Sequence, residues 1–222
     1  YIPVERRFLR PSFGGGFRPG QSRQVNYAQS YSDIFTRAFH LARESVLYGG
    51  SAAVDKHHGA RWMKTAIAEI GVAEVNGSVK ANPRILEYFK ASKFWGDDDS
   101  GAKNAWCGSF AAWVMKENGY TPVSKAFRAK EWKSFGKKIT APVYGALGIK
   151  SRKGGGHVSF VMGRNKLGTK LFMLGGNQDD KVQVSAYPRD VWDAFVVPTD
   201  FDDAKSSLPI HTSVADACGK ES

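Results

Sequence analysis

Cysteine is nearly absent from the 222 residues: Cys107 and Cys218 are the only two. Cys107 heads an apolar stretch and Cys218 lies in a polar tail, so no disulfide is expected between them, and a small disulfide-stapled scaffold is excluded. Long apolar runs are missing as well. None approaches the roughly 18 residues of a membrane span, so no stable membrane insertion is expected. Nor does Tyr1-Ile2-Pro3-Val4-Glu5-Arg6-Arg7 show a charged region followed by a long apolar one, the pattern of a secretory leader. Metal-ligand spacing is lacking: His57-His58 has no cysteine or carboxylate nearby at ligand intervals, and neither a metal nor another cofactor is expected. Gly14-Gly15-Gly16 is not followed by Gly-Lys-Ser/Thr, which excludes a phosphate loop. No internal repeat is present.

Charge is present and unevenly spread. The formal net charge is +11. Residues 1–55 hold seven arginines and four acids, and residues 199–222 hold two lysines and five acids. The middle, 56–198, therefore carries 23 basic and 12 acidic residues. Such a basic body suits a polyanion or an anionic cell-wall polymer. No recognition helix, zinc finger or aromatic RNA-binding signature accompanies the charge, so nucleic acid is not the expected partner. An apolar fraction of 42% with 13% aromatics argues for a packed core.

Three regions follow from composition. Residues 1–55 read as a basic Gly/Pro-rich arm, over 1–30, followed by a helix from Ser32 to about Leu47 with a structural His40 beside its apolar stripe. Residues 56–198 read as the folded domain, and 199–222 as a polar, disordered tail. In the domain, the spacing of Trp62, Met63, Ala66, Ile67 and Ile70 predicts a helix over 60–70. Asn82-Pro83 predicts the N-cap and first position of another. Asn104 is the candidate N-cap of a third, carrying Phe110, Ala111, Val114 and Met115. A fourth is read from Ser124 to Gly136. Past Gly136 the texture becomes strand-like: 142–149, 157–162, 171–174, 182–185 and an edge strand within 191–197, with Ser151–Gly156 as a mobile basic turn. Helices first and antiparallel strands after them define an α+β protein.

The chemistry-bearing residues sit at the ends of these elements. Cys107 falls in the first turn of its helix, where unpaired N–H groups and the helix dipole should lower the thiol pKa. His157 begins a strand after a glycine turn. Asn177 follows the next strand after two glycines, with Gln178 and Asp179 as rivals for the same place. A thiol, an imidazole and a third polar group that orients the ring are the parts of a cysteine hydrolase. The backbone N–H groups of Cys107 and Gly108 are the candidate oxyanion donors.

Trp106-Cys107-Gly108-Ser109-Phe110, Gly156-His157-Val158-Ser159-Phe160-Val161 and Leu174-Gly175-Gly176-Asn177-Gln178 together resemble the papain-like cell-wall hydrolases. That superfamily includes the NlpC-type peptidases and the cysteine, histidine-dependent amidohydrolase/peptidase domains. Trp62, Glu69-Ile70-Gly71-Val72 and Asn82-Pro83-Arg84-Ile85 are similar to a subgroup found in phage and bacterial lytic proteins. The resemblance covers about residues 60–198. It implies a papain-like fold and cleavage of an amide in the peptide part of peptidoglycan, with Cys107 as nucleophile, His157 as base and Asn177 as orienting residue. Trp106, Lys103, Arg152 and Lys153 are candidate substrate contacts. A monomer is expected, and the basic Gly/Pro-rich arm, which the resemblance does not cover, is read as serving delivery to the periplasm or cell wall, as a secreted antibacterial effector with a secretion apparatus and a cognate immunity protein as partners or as part of a phage lysin. Two other readings remain open at this level: the same residues acting on a protein or lipid target, as a deamidase, protease or acyltransferase, and a non-catalytic module that holds an anionic polymer.

Overall fold

Asn82 and Pro83 do what their order dictates. The Asn82 side chain accepts the Arg84 N–H at 2.9 Å, and Pro83, which has no N–H to satisfy, takes the first helical position. In the computed structural model, residues 59–75, 81–100, 104–152 and 154–211 are described. The arm over 1–30, the helix read from Ser32, His40, His57-His58, Lys103, Lys153 and Cys218 lie outside them.

Among the described residues three α-helices precede a sheet. They are α1 (Trp62–Ala68), α2 (Pro83–Ser92) and α3 (Cys107–Glu117). The strands are β1 (Lys137–Ile139), β2 (Leu147–Arg152), β3 (Gly155–Arg164), β4 (Lys170–Gln178), β5 (Lys181–Pro188) and β6 (Ala194–Val197). They form one six-stranded sheet in the order β1-β6-β2-β3-β4-β5, antiparallel at every pairing. The chain is thus mixed α and β with an antiparallel sheet, compatible with α+β. Among the described residues no helix is long and apolar enough to cross a membrane.

α3 packs on the sheet through Phe110, whose ring meets Phe160 of β3 with centroids 6.1 Å apart. Gly176 permits this approach, because a Cβ there would lie 2.5 Å from the Trp106 ring and 2.7 Å from Phe110 Cβ. α1 and α2 are joined by a polar clasp. Glu69, just past α1, takes two hydrogen bonds from Arg84, at 2.7 and 2.8 Å, and one from the Tyr88 hydroxyl. The Arg84 guanidinium also lies 4.2 Å from the ring centroid of Trp113 in α3. Glu69→Ala would strand the buried end of this clasp. It is expected to lower stability by about 2 kcal/mol in denaturant unfolding, since a partner is removed and the others stay.

The structure corrects four expectations. The helix read over 124–136 is only a 3-10 helix, Ala129–Ser134. Lys125 is left-handed (φ 56°) and Arg128 extended, so the backbone turns before a longer helix can form, and Trp132 Nε1 ties it by donating to Ala126 O at 2.8 Å. The strand read within 191–197 is not an edge; β6 lies between β1 and β2, and Lys137–Ile139 forms the edge strand that hydropathy did not mark. Ser151 and Arg152 pair with Gly156 and Gly155, so these four residues belong to a hairpin ladder rather than to a mobile turn. Finally, the first half of the polar tail is tied down. Phe201 is buried, its ring 5.1 Å from that of Trp62, and the His211 N–H donates to Arg164 O at 2.9 Å. The Arg164 N–H also donates to Pro209 O at 2.9 Å, and Lys137 pairs with Asp203 at 2.7 Å.

The other edge of the sheet is covered. Gly71 N–H donates to Val182 O and Val182 N–H to Val72 O, so the stretch after α1 pairs with β5 and hides that edge.

Candidate active site

Cys107 is the first residue of α3, with Trp106 at the N-cap position and no side chain capping the helix. Asn104, the expected cap, instead donates to Ser100 O at 2.8 Å. The thiol is 2% exposed. The backbone N–H groups of Val158, Gly108 and Cys107 itself act on it in the direction that lowers its pKa. Gly108 is required where the helix begins, for a Cβ there would lie 2.4 Å from Ala126 O.

These donors and the Arg152 charge favour the thiolate, yet burial outweighs them and pushes the thiol pKa up. The lowered pKa expected from the helix terminus is therefore not what the structure gives. A dipole acts within the first turn, but a sulfur removed from water forfeits more than it supplies. At neutral pH Cys107 rests as a thiol.

His157 is 4% exposed on β3. Phe160 faces α3, so strand alternation puts His157 and Ser159 on the other face. There the imidazole lies beside the rings of Tyr187 and Trp192, at 6.1 and 6.3 Å between centroids. Its Nε2 is 2.7 Å from Ser159 Oγ and 3.0 Å from Gln178 Oε1. The tautomer follows from Gln178. Its Nε2 donates to Met173 O at 3.1 Å and to Gln183 O at 2.6 Å, which turns its oxygen toward His157. An acceptor there calls for a proton on His157 Nε2 and leaves Nδ1 as the basic nitrogen. No hydrogen bond joins Nδ1 to Cys107 among the described residues.

Burial lowers the His157 pKa to about 4 from 6.5, the Gln178 bond opposing this and the Lys150 and Arg152 charges adding to it. An unfolded chain takes up this proton below pH 6.5, whereas the folded one resists until about pH 4. The contribution is thus intact above pH 6.5 and is lost as pH falls through that window, by about 3 kcal/mol in all. Denaturant unfolding at stepped pH should show this slope, and His157→Asn should flatten it. An equal slope in the variant would assign the loss to other groups.

Of the three candidates for the orienting place, the structure brings Gln178 to His157. Between β4 and β5, Gly175 pairs with Gln183 and Gln178 with Lys181, so β4 carries one residue more than its partner. This bulge, with Asn177 left-handed at φ 54°, gives residue 178 the phase that 177 would have had in a regular strand. Asn177 is turned off the ring. Asp179 and Asp180, both at positive φ, make the two-residue turn into β5, and Asp179 accepts from Gln183 Nε2 at 2.8 Å. Gly175 leaves room for the cluster: a Cβ there would lie 2.5 Å from Ser159 Oγ.

Trp106 is not a substrate contact. It is wholly buried and donates to Glu74 Oε1 at 2.8 Å. Arg152 does line a cleft of about 810 Å³ that reaches Cys107. Other lining residues are Phe94, Trp95 and Phe127, with Arg128, Lys130 and Glu131. Ser159 and Lys150 were not singled out from sequence. Ser159 was findable, since it lies two residues beyond His157 and so on the same strand face. Lys150, opposite His157 in the β2–β3 register, has its Nζ 3.9 Å from the Tyr187 ring centroid.

No protein-family model matches the chain, and no curated protein matches it.

Proposed function

We propose that this protein is a cysteine amidohydrolase of papain-like type that cuts an amide in the peptide part of peptidoglycan. The observation that carries the reading is the place of Cys107 at the head of α3, lining one cleft with Arg152 and with Gly156, the residue before His157. The cleft that reaches the sulfur and its surplus of cations support it.

The chemistry starts from a neutral pair. As a bound substrate displaces water, His157 Nδ1 takes the thiol proton and the sulfur attacks the amide carbon. Gly108 and Cys107 N–H groups hold the oxyanion. The imidazolium then protonates the leaving amine, which departs and leaves a thioester on Cys107. His157 next takes a proton from water, the hydroxide adds to the thioester carbon, and collapse releases the carboxylic acid and the thiol. Gln178 keeps the Nε2 proton in place throughout. Delivery to the periplasm or cell wall, as effector or lysin, belongs to the same proposal.

The test is digestion of purified sacculi, with mass spectrometry of what is released. New amine and carboxylate ends at one peptide bond are expected; intact stems and cross-links would overturn the reading. One observation favours a second reading: thiol and imidazole are both neutral and share no hydrogen bond, as suits a module that only binds an anionic polymer. Binding to sacculi with no bond cut would select it.

A further inference from the structure

Trp95 is 79% exposed, although burial of so large an apolar side chain would be favourable. It is held there by construction. Its ring packs on Phe94 and Phe127, at 5.1 and 5.5 Å between centroids, and those two lie 5.4 Å from each other. The next residue must be small, because a Cβ on Gly96 would lie 2.3 Å from Phe94 Cε1. The Arg128 guanidinium sits 5.6 Å from the Phe127 centroid, so a cation is fixed to the same aromatic group. All of these residues except Gly96 line the cleft that reaches Cys107, together with Arg152. A volume of about 810 Å³ exceeds what one amino-acid side chain fills and lies in the range of sites for drug-sized ligands.

We propose that Trp95, backed by Phe94 and Phe127, is a stacking subsite for a sugar ring, and that Arg128 and Arg152 hold a carboxylate of the peptide attached to that sugar. The ligand class is an amino-sugar chain bearing an anionic peptide, and the assignment rests on the proposed function. An exposed indole backed by two further rings offers a flat apolar face to sugar C–H groups. The cations match the peptide's carboxylates. A single-stranded nucleic acid would also stack, but it asks for a run of aromatic steps along a continuous basic groove, whereas this cleft has one exposed ring and a carboxylate, Glu131, in its lining.

The experiment compares two probes, a disaccharide-tetrapeptide and the same tetrapeptide without sugar. Calorimetry on full-length Cys107→Ala should find the sugar-bearing probe bound about tenfold more tightly. Adding Trp95→Ala should erase that preference, and Trp95→Phe should keep most of it. Arg152→Gln should weaken both probes about fivefold and leave the fully amidated peptide unaffected. No preference for the sugar, a preference that survives Trp95→Ala, or tighter Trp95-dependent binding of an oligothymidylate would overturn the subsite. Failure of the hydrolase reading looks different: the sugar preference persists, yet the unsubstituted protein cleaves neither probe. If both probes are cleaved equally and Trp95→Ala changes neither, the hydrolase stands and the subsite falls.

Discussion

Cys107→Ala is expected to abolish release of peptide fragments from sacculi, a loss of about 10⁴-fold or more in kcat/KM, while the protein stays folded. The loss is total in kind because no other thiol lies at the head of α3, and the hydroxyl nearest His157, Ser159 Oγ, is committed to Nε2 and to Gln178. Stability should change little. The sulfur is a small buried group, and replacing it leaves a cavity of less than one methyl-sized side chain, worth about 1 kcal/mol. The variant's melting temperature and its fragment release, measured on one preparation, check both halves. Fragment release equal to that of the unsubstituted protein would remove Cys107 from the chemistry.

Gln178→Leu should have the second-largest effect, and it should show in two measurements. The amide is 3% exposed and serves six partners: His157, the hydroxyls of Ser159, Ser185 and Tyr187, and the carbonyls of Met173 and Gln183. A leucine of similar size fills the space but leaves two buried carbonyls and the imidazole N–H without it, at a cost of about 3 kcal/mol. Turnover should fall about 100-fold because the ring loses the group that fixes its tautomer. A structural role alone would also lower stability, so Gln178→Glu is the sharper probe. A carboxylate beside the ring favours the imidazolium, and the acidic limb of the kcat/KM profile should move to higher pH. A profile unchanged in Gln178→Glu would mean that residue 178 supports the strand and does not tune His157.

The helices were legible because their signals are local. Asn82-Pro83 and the apolar stripes at three- and four-residue spacing need only one helix to be read. The strands after Gly136 were legible as strands, but their order was not, since Ala194–Val197 becomes internal only when Lys137–Ile139 pairs outside it, a contact across some 60 residues. At the candidate site, the sequence placed Cys107 at its helix start and His157 on its strand. It misjudged the thiol's ionisation because burial is a property of the packed domain. It ranked Asn177 ahead of Gln178 because a bulge is invisible to a period-two reading. Trp106 looked like a site residue by proximity to Cys107, whereas its neighbours Tyr88, Phe110 and Gly176 make it core.

The bulge at Gly175–Gln178 has a consequence for how this chain can change over generations. Which amide faces His157 is set by a count of residues, not by their identity. Removing one residue from that stretch would hand the place to a different side chain while leaving every remaining letter intact, and restoring the count elsewhere in β4 would return it. Substitutions at 177 are therefore cheaper than insertions or deletions beside it, and a comparison that aligns the Asn-Gln pair without respecting its spacing would transfer the role to the wrong residue.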